Sequence, residues 1–424
     1  MTLVVAPAPP RAADGDRQVI GVIVGVQLAA ALGFYAVMAH VVAHMRDDLG
    51  LLAGAIGLVL GVRMAVQYAL LLPVGAVTDL LGATRMGVLA CVLRAGGFAL
   101  LGTADGLADL LGAAVLLGVG GALFHPAAQS LLAGVTPARR ARGFAAYVIT
   151  GQVAAVAGPP VGLVLLSGGL ASAVAFGLPS GVDLPGGFGL PGGFGLLAGT
   201  AAAMWTIAAV LFAMLHRRRR DPVVRRPRSI GARGVAGGVT AVLHDRVFLR
   251  FAAVSAPSML LADATVTVVP LKGIDSGTTT LFFCLSAAVA ASIQPWCAAG
   301  DRARRPWVLR TGLLSAGAGY VLLAPLGGAH LTGLLTAAVL NGLAKGLLQP
   351  SLFQTTARYA PPAQIGAYLG VAAFLSGMVA FAGGLAVGRL FDAGAAGMAT
   401  ALVGLGLLGI LSAAACGRAL PHTP

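Results

Sequence analysis

The sequence predicts an all-α membrane protein, with twelve transmembrane helices in two pseudo-symmetric six-helix bundles. Three observations carry this. The 424 residues are 58% apolar and only 10% charged, with a mean hydropathy of +0.91, whereas a water-soluble domain carries about 25% charged residues. Apolar stretches of the roughly 20 residues needed to cross ~30 Å of hydrocarbon recur along the whole chain. Fragments of the first half also recur in the second at a nearly constant offset.

Spans 1 to 12 fall at 19–41, 51–73, 86–104, 110–133, 144–168, 195–215, 248–271, 279–299, 306–326, 331–353, 365–388 and 394–416. Residues 1–18 have no basic run ahead of an apolar segment, so they read as a cytosolic tail without fixed structure rather than a cleaved signal peptide. The first bundle then covers 19–216, a basic cytosolic linker 217–247, the second bundle 248–416 and a cytosolic C-terminal tail 417–424. Between spans 5 and 6 the six residues LPGGFG occur at 184–189 and again at 190–195. Gly-Gly and Pro resist regular structure, which predicts a flexible loop.

A balance of 28 basic to 14 acidic residues would suggest nucleic acid in a soluble protein. Here the placement of the charges matters more. With the N-terminus in the cytosol, the inside positions hold 22 Arg and the outside positions only Arg46, Lys272 and Arg389. This is the positive-inside asymmetry, and it predicts a multi-pass protein of the cell membrane with both termini cytoplasmic. The Arg run of the linker reads as a topogenic loop that touches acidic lipid headgroups, not nucleic acid. Cys91, Cys284, Cys297 and Cys416 form no C-x-x-C pair. No disulfide framework, metal or cofactor is expected.

The repeat is specific. Pro73 with Asp79 matches Pro295 with Asp301 at an offset of 222. The series Pro126, Pro137, Gly143 and Tyr147 matches Pro350, Pro361, Gly366 and Tyr368 at offsets of 221 to 224. Gly158 and Gly162 match Gly384 and Gly388 at an offset of 226. A 6+6 parallel repeat is the arrangement of a transporter whose site lies between its halves.

These residues also carry a resemblance, over essentially the whole chain, to the major facilitator superfamily. GAVTDLLGATR, from Gly75 to Arg85, resembles its signature G-x-x-x-D-[RK]-x-G-[RK]-[RK], with Leu80, Ala83 and Thr84 standing where bases are usual. DRARR, from Asp301 to Arg305, is the second copy, with Cys297 at the first glycine. GQVAAVAGPPVG, from Gly151 to Gly162, resembles the Gly-Pro signature of the proton-coupled, drug-exporting branch, with Leu163 replacing its final glycine. Physically, Gly75 and Gly82 around Asp79 permit a tight corner whose carboxylate can meet a helix N-terminus or Arg85, so the corner is a plain turn or a latch between the halves. Pro159 and Pro160 remove two backbone donors, while Gly158 and Gly162 form a small-xxx-small face, for packing alone or for conformational change.

Ionisable groups inside spans are costly and face a cavity or a partner. Arg63 lies midway along span 2, Arg94 in the inner half of span 3 within snorkelling reach of the cytosol, His125 in span 4, Asp263 in span 7 and Lys345 in span 10. Asp263 is the one carboxylate in the interior of a span, either a proton carrier or half of a fixed pair with Lys345 or Arg63. His125 is either a second proton relay or a hydrogen-bonded helix histidine. The resemblance implies that spans 1, 4, 7 and 10 line a central cavity. Candidate lining residues are then Gln27, Tyr35, His40, Phe124, Gln129, Met259, Asn341, Gln349 and Phe353. Sparse polar points on an apolar, aromatic wall suit an amphiphilic small molecule better than a sugar or small anion.

The expectation is therefore a secondary active transporter, acting as a monomer, that couples protons to export of an amphiphile by alternating access, with an importer or a non-transporting sensor as alternatives. No H-e-x-x-h, G-x-S-x-G or Walker pattern suggests an enzyme or an ATP-driven pump.

Overall fold

A computed structural model describes residues 10–167, 193–218, 239–298, 302–324, 331–361 and 364–419. Most of the LPGGFG repeat, most of the basic linker and Asp301 lie outside them. Through the described residues run twelve long helices, matching spans 1 to 12 in order. They are α1 (Pro10–Met38), α2 (Ala53–Leu81), α3 (Ala83–Gly102), α4 (Leu107–Ala133), α5 (Pro137–Leu166) and α6 (Phe194–Arg218), then α7 (Arg246–Leu271), α8 (Ser276–Ala298), α9 (Pro306–Leu323), α10 (Leu331–Tyr359), α11 (Ile365–Asp392) and α12 (Gly394–Ala419). Eleven are long and apolar enough to cross a membrane. The twelfth, α9, is shortest at 18 residues and opens on Pro306 and Trp307 with Arg310 one turn in.

The helices overrun the apolar stretches. α5 begins at Pro137 and carries Arg139, Arg140 and Arg142, and α2 continues to Leu81. Hydropathy marks hydrocarbon depth, while an α-helix satisfies its own backbone wherever it ends. The expected unstructured tail is corrected in the same way: α1 starts at Pro10, and Asp16, 5% exposed, accepts bonds from the backbone N–H and hydroxyl of Thr136, the residue before α5. The second half has a parallel tie, from the Tyr368 hydroxyl of α11 to the Asp245 carboxylate that caps α7 (2.9 Å).

Both first helices are interrupted at matching places. α1 stops at Met38, turns through Ala39 and His40, and resumes as Val41–Ala43 and a π-helical turn, His44–Asp48. α7 is three segments, Arg246–Ser255, Pro257–Asp263 and Thr265–Leu271, and its second break falls beside Asp263. Pro257 explains the first break, since it has no N–H to donate back along the helix. At the second, the Tyr320 hydroxyl of α9 donates to the Leu261 carbonyl at 2.6 Å.

Each half has its own apolar core. One lies within Val19–Leu215, centred on Phe98, Trp205 and Phe212; the other lies within Val242–Cys416, with Phe248, Phe251, Phe282 and Tyr320, and takes in Ala39, Ala53 and Met64 from the first half. The halves meet along α2 and α11 and along α5 and α8. Toward the ends of these helices at Ala53 and Asp392, the α2–α11 seam is nearly bare backbone. A methyl group at Gly57 would fall 2.6 Å from the Gly384 carbonyl oxygen, and one at Gly388 would lie 2.9 Å from the Gly54 Cα. Small residues at regular spacing are how membrane helices approach this closely.

With twelve long helices in alternation, the start of α1 and the end of α12 lie on one face, the terminal face; the other is the far face. At the far face the seam is fastened by Asp392, the last residue of α11, which accepts from the backbone N–H groups of Ala53 (2.7 Å) and Gly54 (2.8 Å) at the start of α2. Arg46 also donates across the halves to the Pro270 carbonyl. Toward the terminal face the halves are bridged by side chains: Gln152 of α5 donates to Gln294 of α8, which donates to Gln349 of α10 (2.9 Å).

Candidate functional site

The ionisable groups predicted inside the spans converge on the region between the halves. α2 and α3 supply Arg63 and Arg94, whose guanidinium carbons lie 5.6 and 5.2 Å from the centre of the same ring, Phe34 of α1. Trp205 of α6 covers Arg94 from another side at 4.8 Å. Arg94 is only 6% exposed, so it does not snorkel. Aromatic faces hold its head group inside the bundle, and Gly121 of α4 leaves the space it occupies, because a methyl there would overlap Nη2. Arg63 reaches Gln67 Oε1 at 3.5 Å and Met64 Sδ at 3.1 Å.

Asp263 of α7 lies within electrostatic reach of Arg63, Lys345, Tyr35, Tyr68 and Tyr320. Among the described residues it makes no ion pair, and neither do Arg63, Arg94 or Lys345. His125 of α4 is exposed and bonded through Nδ1 to the Tyr147 hydroxyl of α5 (2.8 Å), with Arg94 within electrostatic reach.

The predicted lining divides. Tyr35 (38% exposed), Gln129, Gln349 and Phe353 are open, and Met259 is half-buried. Gln27 is buried against Gly151 with Oε1 unbonded. Three residues leave the lining: His40, 2% exposed and bonded to the Pro159 carbonyl, Phe124 and Asn341. Phe124 is 2% exposed because its ring is taken up in T-shaped contacts with Trp205 and Phe212 of α6. Asn341 is buried where it accepts from the Ser286 hydroxyl at 2.8 Å, joining α8 to α10. Sequence reasoning missed Phe34, Gln67, Tyr147 and Trp205, since an aromatic or Gln in an apolar helix shows no sign of the cation it meets.

The motif residues also have definite places. Gly82 sits at the α2–α3 corner with φ +82°, a left-handed conformation suited to glycine. Arg85 lies 3.5 Å from His216 at the end of α6. Gly75 and Asp79 belong to the last turns of α2, and their side chains are outside the described residues. In α5, Gly158 and Gly162 press on Tyr35 and Ala36 of α1 and on His40 in the turn after it, and His40 Nε2 bonds the Pro159 carbonyl at 3.0 Å. Pro160 leaves the Val156 carbonyl without its helical donor, and the Cys284 thiol of α8 fills the gap at 3.3 Å.

Two alike helical halves, broken first helices and charges where the halves meet define a membrane transporter. The sequence profile of the Major Facilitator Superfamily matches residues 23–384, and the chain belongs to that superfamily. It is 26% identical over 403 residues to the multidrug resistance protein MdtH of Shigella dysenteriae, covering 92% of this chain and 91% of that protein. An uncharacterised MFS-type transporter of Mycobacterium tuberculosis is 38% identical over 141 residues, which span 33% of this chain and 34% of the relative. Among solved structures, a bacterial homologue of the human lysosomal transporter Spinster, inward-facing and unoccupied, superposes with a TM-score of 0.73 at 16% identity, covering 97% of this chain and 98% of that one. A POT family transporter in complex with 5-aminolevulinic acid gives 0.72 at 14% identity, with 93% and 94% covered. At these identities the structures speak to fold alone.

Proposed function

We propose that this chain is a proton-coupled exporter of amphiphilic small molecules in the cell membrane, with its terminal face in the cytosol and the two halves rocking around the Arg63–Asp263 region. One observation carries the coupling: Asp263 is a membrane-interior carboxylate beside a helix break, unpaired among the described residues, with two cations in electrostatic reach. Arg63 belongs to the first half, Asp263 and Lys345 to the second, so rocking of the halves changes which cation the carboxylate meets. Export is supported by the Gly158–Pro159 run of α5 and by the name of the MdtH relative. The fastened far face and the basic terminal face support loading from the cytosol.

The test uses proteoliposomes with an imposed pH gradient and three naphthalene probes, 2-naphthoate, neutral 2-naphthamide and cationic 2-naphthylmethylamine. Wild-type protein should drive at least one of them uphill. Asp263→Asn keeps the shape but removes the titration, so it should still bind that probe and only equilibrate it. Uphill transport at the wild-type rate in the variant would move coupling elsewhere, to His125 or Asp79.

A further inference from the structure

The interior of the described chain holds more positive than negative charge. Against Arg63, Arg94 and Lys345 there is one carboxylate inside the described spans, Asp263; it lies within electrostatic reach of Arg63 and Lys345 and belongs to the other half from both arginines. Neither arginine has an ion-pair partner among the described residues, and the Nε of each is buried without a hydrogen bond. Arg94 donates no hydrogen bond among the described residues, although a guanidinium carries five N–H donors in a planar fork. Buried guanidinium groups ordinarily find a carboxylate or a set of acceptors, because the alternative is a desolvated, uncompensated charge. Here the compensation consists of aromatic faces and, at Arg63, long contacts to Gln67 and the Met64 sulfur, which leaves the Arg94 fork free and a further N–H on each terminal nitrogen of Arg63. Phe34, placed against both cations, and Trp205 against Arg94 form an apolar wall directly beside the unused donors.

We propose that Arg63 and Arg94 bind the acid group of the transported molecule, which is a carboxylate-bearing amphiphile whose apolar part lies against the Phe34 side of the pair. This rests on the reading of the chain as an amphiphile transporter and narrows its substrate class. The fork matches a carboxylate bidentately, which a point charge cannot do. The two arginines come from neighbouring helices of one half, so an anion bound there stays with that half as the molecule rocks, while Asp263 approaches it from the other.

The proposal is testable without any gradient, so its failure is separable from failure of proton coupling. Full-length protein in detergent, carrying Trp296→Phe and Trp307→Phe, leaves Trp205 as the emitting tryptophan beside the site. Titration with 2-naphthoate should give at least tenfold tighter binding than 2-naphthamide. Arg63→Gln and Arg94→Gln should each weaken the naphthoate tenfold or more and leave the amide unchanged. Arg63→Lys, which keeps charge without the fork, should fall between. Arg63 is the less buried of the two, so Arg63→Gln keeps the prediction open should Arg94→Gln fail to fold. Equal affinity for acid and amide, absence of binding by both, or wild-type naphthoate affinity in a folded Arg63→Gln protein would overturn the proposal. An anionic lipid headgroup would present related chemistry. If naphthoate binding seen in phosphatidylcholine nanodiscs vanishes when phosphatidylglycerol is included, the occupant is lipid and the solute assignment falls.

Discussion

The two halves are built to one plan but cap their second helix differently. In the second half, α8 is capped from within: Asp275, immediately before it, accepts from the Thr278 N–H at 2.9 Å. The first half has Leu52 at that place, and the opening amides of α2 are served by Asp392, borrowed from the end of α11. At the C-terminus of its own helix a carboxylate is unfavourably placed, and at the N-terminus of another it is favoured. α8 therefore keeps its cap in every state, whereas α2 has its cap only while the far face is closed.

The interior differs in the same spirit. Gly118 of α4 presses on the Arg63 carbonyl, and Gly342 of α10 presses on the Ser286 carbonyl, so Arg63 and Ser286 occupy corresponding places. At the α3–α9 offset of 222 set by Gly97 and Gly319, Arg94 corresponds to Ala316. Packing has been kept between the copies and charge has not. Residues that depart from the repeat are thus the ones to test first.

Erasing the charge difference gives the largest expected effect. Arg94→Leu makes the first half resemble the second, and exchanging an uncompensated buried ion for an apolar residue of similar size stabilises by about 1–4 kcal/mol. The thermal midpoint should rise while naphthoate affinity falls at least tenfold; a lower midpoint would mean that the aromatic cage satisfies the arginine fully.

Next comes the seam. Gly57→Leu drives a side chain into α11, so spin labels at Leu52 and Ala395, both exposed at the far face, should move apart and transport should drop several-fold. Gly158→Leu, buried against α1 of its own half, should instead lower stability by about 1–3 kcal/mol without changing that distance. If both variants open the far face, the α2–α11 seam has no special part in closure.

Smaller again is Asp392→Ala. Loss of a cap costs about 1 kcal/mol, or about fivefold in an equilibrium, and only the closed state bears it. The same spin labels should show about a fivefold gain in the open population. Least of all is Asp275→Ala. Hydrogen bonds from Thr278 hold the Asp275 carboxyl below the usual carboxylate range, so its contribution is present above that range and is lost as pH falls through the lowered value. The variant should show a slightly reduced thermal midpoint at neutral pH, converge with wild type in acid, and leave the far-face distance untouched.

Hydropathy located the twelve long helices of the described residues, because the ~30 Å hydrocarbon demand repeats twelve times, and the duplication was legible because Pro, Asp and Gly spacing survives in both copies. It missed where helices end, since Arg139 to Arg142 are helical yet lie outside the apolar stretch. Single charges such as Asp263 and Arg63 were legible because their cost inside a span is high whatever surrounds them. Their surroundings were not legible. Trp205, Phe34 and Phe124 are equally apolar in sequence, and only the packing of α1, α3, α4 and α6 decides that the first two meet Arg94 while the third joins the core.

The borrowed cap gives the molecule a built-in clock. The first amides of a helix have no partner within it, so when the far face parts, the N–H groups of Ala53 and Gly54 return to water. Their hydrogens exchange with solvent only in those intervals. The ratio of their exchange rate to that of a free peptide therefore reads, in unmodified and unlabelled protein, the fraction of time the far face stands open.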